Sequence, residues 1–147
     1  MAARNYQVAV HIENTPEAVI KYVADVRNRP LFFPSLKSVS DIKGDPSAVG
    51  TTWRWTFVAL ATEFQGTAKC LEHQPGKLYS FQTAGGIESK FTYRAQPDKK
   101  GTKLTIDLEY TIPQPMESRL PTTKIADAMK KAEADQVIQN LKVILDK

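Results

Sequence analysis

Between Lys37 and Ile112 the sequence is cut into short runs by clusters of turn-forming residues, and this punctuation limits the fold more than anything else in the chain. The clusters are Gly44-Asp45-Pro46, Gln74-Pro75-Gly76, Ala84-Gly85-Gly86 and Asp98-Lys99-Lys100-Gly101. The intervening runs are Lys37–Lys43, Thr51–Leu60, Thr62–His73, Lys77–Thr83, Glu88–Gln96 and Thr102–Ile112, and they predict strands joined in order by short hairpins. In the last run Leu104, Ile106, Leu108, Tyr110 and Ile112 alternate with Lys103, Thr105, Asp107, Glu109 and Thr111. A period of two with one polar side marks an antiparallel sheet with a wet face. Asn5–Ile12 alternates in the same way and adds a seventh strand.

Two helical regions interrupt or follow this sheet. Asn14-Thr15-Pro16-Glu17 offers a capping side chain, a proline suited to the first helical position and an acid near the positive end of the dipole. Ala18, Val19, Tyr22, Val23 and Val26 follow at helical spacing, so a helix is expected over Pro16–Val26. Asn28-Arg29-Pro30 ends it, and Leu31-Phe32-Phe33-Pro34 reads as a second short helix or turn whose phenylalanines plug the core or line the mouth of a pocket. After the hinge at Gln114-Pro115, Met116–Lys147 has no glycine and is dominated by strong helix formers. That predicts a long helical rod. It carries two apolar stripes, Ile125, Ala128, Met129 and Ala132 on one side, and Ala134, Val137, Ile138, Leu141 and Leu145 on the other. A straight helix cannot turn both toward one sheet. Either it bends near Ala132–Ala134, or the first stripe roofs a cavity while the second anchors the helix.

A chain of 147 residues with 41% hydrophobic and 24% charged residues suits one domain with its own core. The lone Cys70 cannot form an internal bridge, and the first residues lack a signal-peptide core, so a reducing, cytoplasmic setting is expected. No apolar run reaches the ~18 residues that span a bilayer. The net charge of +4 is spread along the chain rather than gathered in a stripe, which argues against a nucleic-acid partner. His11 and His73 have no acidic or thiol neighbours at metal spacing, so neither metal nor cofactor is expected. Asp25, Arg27 and Arg29 read as surface pairs. Arg54 faces water if the flanking tryptophans are buried, and becomes an inward cation if they are not.

The order strand, two short helices, six strands, long helix resembles the helix-grip fold of the birch-pollen-allergen-like and START-like proteins, the SRPBCC superfamily. AVIKYVADV at Ala18–Val26, VGTTWRW at Val49–Trp55, GTKLTIDLEYTIP at Gly101–Pro113 and NLK at Asn140–Lys142 are similar to its polyketide cyclase/dehydrase branch. The resemblance implies an α+β domain in which a curved seven-stranded antiparallel sheet wraps a long C-terminal helix around a cavity for a hydrophobic molecule. Members bind or carry lipids, sterols, quinones and polyketides, and a minority catalyse cyclisation or dehydration.

Within such a fold Trp53, Trp55 and Phe57 share one face of a strand, with Phe64, Phe91 and Tyr93 on neighbouring strands. Aromatic rings of this kind close-pack as core or line an apolar site. The expected cavity lining is Trp53, Trp55, Phe57, Phe64, Phe91, Tyr93, Leu108 and Met129, with Phe32 or Phe33 near the mouth. Gly66 and Ala68 either leave room for a ligand or mark a bend. Cys70 reads as a small buried hydrophobe. The expected partner is a small hydrophobic molecule. A cyclase or dehydratase would need buried Arg, Tyr, His or Asp converging on the pocket. A co-chaperone-like interaction module would need an exposed apolar stripe and no internal volume. No residue is singled out as catalytic, and the oligomeric state is left open.

Overall fold

In a computed structural model, residues 3–59, 62–85, 88–111 and 123–147 are described, and so are the side chains of 5–58, 63–85, 88–111 and 131–147. Alternation becomes a seven-stranded antiparallel sheet: β1 (Ala3–Ile12), β2 (Leu36–Lys43), β3 (Thr52–Ala59), β4 (Thr62–Gln74), β5 (Leu78–Gly85), β6 (Glu88–Asp98) and β7 (Gly101–Thr111). Its order is β1-β7-β6-β5-β4-β3-β2, so consecutive strands from β2 to β7 are hairpin neighbours and β1 closes onto the last of them. The β1–β7 register runs from Ala3↔Thr111 to Ile12↔Thr102. Leu104, Ile106, Leu108 and Tyr110 are buried on the inner face, while Lys103 and Glu109 are exposed, as the period of two requires.

Helix α1 (Pro16–Ala24) starts where its capping residues predict: Thr15 Oγ1 accepts from the Ala18 N–H at 3.2 Å, and Pro16 opens the first turn. It stops just short of Val26 because Asp25 adopts an extended conformation and its carboxylate accepts from the Arg27 N–H. A single 3-10 turn (Val26–Asn28) and the short helix α2 (Arg29–Phe32) then lead into β2.

The long C-terminal helix α3 runs over Thr123–Leu145. The expected helical residues 116–122 and the end of the last strand at Ile112 lie outside the described residues. Val137, Leu141 and Leu145 are buried and Ile138 packs against the same core, so the second stripe anchors the helix. Of the first stripe, the side chains of Ile125, Ala128 and Met129 lie outside the described ones, and Ala132 is exposed.

Polar contacts fix the position of α3. Glu133 Oε1 accepts from the Ser35 N–H (3.0 Å), and Asn140 donates to the Phe32 carbonyl (3.1 Å). At its far end Asn14 donates to the Leu145 carbonyl (2.9 Å), and Lys142 donates to the His11 carbonyl (2.9 Å). The last of these places a cation on the helix's final turn, where its dipole is negative. The helix is thus tied to the start of β2 along its middle and to the end of β1 at its C-terminus.

Candidate functional site

β3 sets the site. Its pairing with β4 puts Trp53 opposite Ala68, Trp55 opposite Gly66 and Phe57 opposite Phe64. Trp53 and Trp55 are buried and Arg54, between them, is more than half exposed and lies 3.9 Å from Asp41. The inward-cation reading of Arg54 is therefore wrong: the tryptophan side is the dry one.

Gly66 leaves its space to an indole and not to a ligand. A Cβ at that position would lie 2.5 Å from the Trp55 ring and collide with the Ala84 carbonyl. The ring held there donates its N–H to the Thr67 carbonyl at 2.9 Å. The β4–β5 irregularity falls further along, between Cys70 and Glu72.

Next to the tryptophans the interior is unfilled. A cavity of about 60 Å³ is walled by Trp53, Trp55 and Phe57 of β3, by Phe81 and Phe91 of β5 and β6, and by Phe33 and Leu36 at the start of β2. A single water needs only ~10–15 Å³ on this measure. Thr83 and Ser89 add the polar edge, their hydroxyls 2.6 Å apart. A smaller gap of about 20 Å³ lies between sheet and helix, against Tyr93, Ile106, Leu108, Glu133 and Val137. Phe33 and Phe91 border both spaces, in edge-to-face contact with ring centres 5.7 Å apart.

The expected lining residues therefore divide. Trp53, Trp55, Phe57, Phe91 and Phe33 border the larger space, and Tyr93 and Leu108 the smaller. Phe64 packs against the core at its margin. Phe32 is fully buried against Tyr22, with ring centres 6.0 Å apart, so the two adjacent phenylalanines part ways, one into the core and one onto the cavity wall. Met129 has its backbone in α3, and its side chain lies outside the described ones.

The residue that sequence reasoning missed is Arg29, which reads from the sequence as a surface partner of Asp25 and Arg27. Those two do pair there, at 2.7 Å, but Arg29 is only 2% exposed and borders the cavity. Its guanidinium lies 4.2 Å above the Phe81 ring centre, with Tyr79 at 5.4 Å and Trp53 at 5.6 Å. Such ring faces attract a cation, more strongly when water is excluded. Nη2 donates to the Val23 carbonyl at 2.8 Å, which leaves Nε and Nη1 without partners. The hydroxyls of Tyr79 and Tyr93 are likewise buried and unpartnered. Burial raises both phenols, Tyr93 to about 12, and Arg29, close enough to both hydroxyls to act on them through its charge and a weak N–H contact, pulls against the rise. Burial also raises the Cys70 thiol, consistent with an inert interior residue.

His73 is half-buried, with Nδ1 2.6 Å from the Ser47 carbonyl oxygen. Among the described residues no cluster of three or more His, Cys, Asp or Glu could hold a metal ion.

The family model described as polyketide cyclase / dehydrase and lipid transport matches residues 3–145. The chain belongs to that family. Solved structures agree on the fold of this polyketide cyclase/dehydrase family member. A protein from Thermus thermophilus superposes with TM-score 0.78 at 17% identity, covering 95% of this chain and 94% of that one. The Zhui aromatase/cyclase from a Streptomyces species gives 0.76 at 14% identity, covering 98% and 94%. The protein named Ara h 8.0201 gives 0.70 at 13% identity, covering 98% of each chain. A search of curated protein sequences finds no significant match. The curved sheet with its C-terminal helix is thus the helix-grip architecture of the SRPBCC superfamily. The family's members are hydrophobic-ligand binders or polyketide cyclase-type proteins. No helix among the described residues is long and apolar enough to cross a membrane.

Proposed function

We propose that the chain acts as one ligand-binding domain that takes up a small hydrophobic molecule beneath β3, with Trp53, Trp55, Phe57, Phe33 and Phe91 as walls. The observation that carries this reading is an apolar space left open beside both tryptophans of the protein. Interiors are close-packed as a rule, and an unfilled volume forfeits dispersion contacts that a ligand restores. Burial of apolar ligand surface contributes ~25 cal/mol per Å².

Sites for drug-sized ligands measure ~300–1,000 Å³, so a ligand of that size needs more room than the larger space offers. Phe33 and Phe91 border both spaces, so displacement of either ring is the route by which a larger ligand would reach the gap against Tyr93 and Leu108 beneath α3.

A second reading, cyclase- or dehydratase-type catalysis, is favoured by one observation. Such chemistry needs buried polar groups at the pocket: Arg29 borders the larger space, and the buried Tyr79 and Tyr93 hydroxyls lie near its charge. A neutral phenol can donate to a developing enolate, and a guanidinium stabilises its charge. The interaction-module reading gains nothing from a half-open apolar pocket.

Native mass spectrometry of protein purified from cells tests the ligand-binding reading. A co-purifying hydrophobic small molecule, lost on organic extraction, is the expected result. Protein that carries none, and that takes up no apolar probe afterwards, contradicts it.

A further inference from the structure

The most unusual group in this interior is a buried cation without a direct ion pair. Arg29 is 2% exposed and, among the described residues, makes no ion pair. A guanidinium carries five N–H donors, one on Nε and two on each Nη. The Nε donor and both Nη1 donors are unpartnered, and so are the buried hydroxyls of Tyr79 and Tyr93. Ring faces below Arg29 offset part of the cost of burying it, but they accept none of these in-plane hydrogen bonds.

We infer that the molecule bound here is a hydrophobic monocarboxylic acid, held with its carboxylate against Arg29 and its apolar body along Trp53, Trp55 and Phe57. The inference rests on the ligand-binding reading above and adds the charge and head group of the ligand. A planar carboxylate matches a planar guanidinium better than any neutral polar group does. A neutral oxygen can accept from these donors but leaves the buried charge uncompensated, and a cationic ligand is repelled. A phosphate dianion calls for more than one cation, and Arg29 is the only Lys or Arg among the described residues that borders either space. The cavity beside Arg29, about 60 Å³, has room for the head group. The buried Tyr93 hydroxyl, close enough to Arg29 to interact with it, adds a second donor beside that charge, and burial pushes this phenol up to about 12, which keeps it neutral at physiological pH.

The test compares decanoate, 1-decanol and decylamine by isothermal titration calorimetry on the full chain. Salt of about 0.15 M screens the general attraction that the net charge of +4 exerts on anions. Decanoate is expected to bind at least about tenfold more tightly than decanol, with decylamine weakest. In Arg29→Gln the decanoate-to-decanol affinity ratio falls to near one, and Arg29→Lys keeps part of it. Should Arg29→Gln fail to fold, Tyr93→Phe replaces it, with the ratio expected to drop a few-fold. Equal affinities in the wild type, or a preference that survives both Arg29→Gln and Tyr93→Phe, overturn the carboxylate inference while leaving the cavity reading intact. No binding of decanoate or decanol overturns both.

Discussion

Trp55 and Gly66 form a pair in which one residue's missing side chain is the other's seat. The indole lies across the β4 backbone and is pinned by its hydrogen bond to the Thr67 carbonyl. Gly66→Ala should cost about 1–3 kcal/mol, because the new methyl drives the ring off its rotamer. Urea denaturation measures that loss, and a red-shifted tryptophan emission reports the displaced ring. Tyr93 gives the second residue-scale test. Its folded pKa, about 12, lies above its ordinary 10.0, chiefly through burial. The folded state therefore holds the phenolic proton more tightly than the unfolded state does. This contribution is complete below about pH 10 and declines as pH rises from there toward 12, by up to about 3 kcal/mol. Tyr93→Phe should flatten the alkaline limb of a stability-against-pH curve. A variant with an unchanged limb would show that this phenol is not the group responsible.

At the scale of elements, the long helix depends on one stripe. Leu141 is fully buried between α3 and the sheet, and Leu141→Ala should destabilise the protein by about 2–5 kcal/mol in thermal or chemical unfolding. The junction after α1 depends on Asp25, whose carboxylate takes both the backbone and the side-chain N–H of Arg27. Those bonds hold its pKa below the ordinary 3.8, against a smaller opposing effect of burial. The stabilisation is thus full above the usual carboxylate range and fades as pH falls through the lowered folded value. Asp25→Ala should cost about 1 kcal/mol at neutral pH and lose its effect in strong acid, as read from melting temperatures across that range.

For the whole molecule, sequence periodicity was enough to give the strands, the hairpins and the helix cap, because each of these is decided by residues close together in the chain; the closure of β1 onto β7 pairs residues far apart in it and was not legible. The wall of the cavity was legible where strand alternation determined it, at Trp53, Trp55, Phe57 and Phe91. Phe81 joined that wall only through the register that sets it opposite Phe91. Arg29 was not legible at all. A polar residue in a connector between Asn28 and Pro30 reads as solvated, and only the fold, which sets its guanidinium over rings of β3 and β5, turns it inward.

Central to all of this is an apolar ligand lodged beside the tryptophan strand. The protein's two tryptophans both border that space, so an amide-correlation NMR spectrum contains two indole N–H signals to watch. Titration with decanoate should move both, together with the amides of Phe33 and Phe91. Shifts confined to the exposed Val143 and Ile144 side of α3, with the indole signals stationary, would place binding on the outside and contradict the account.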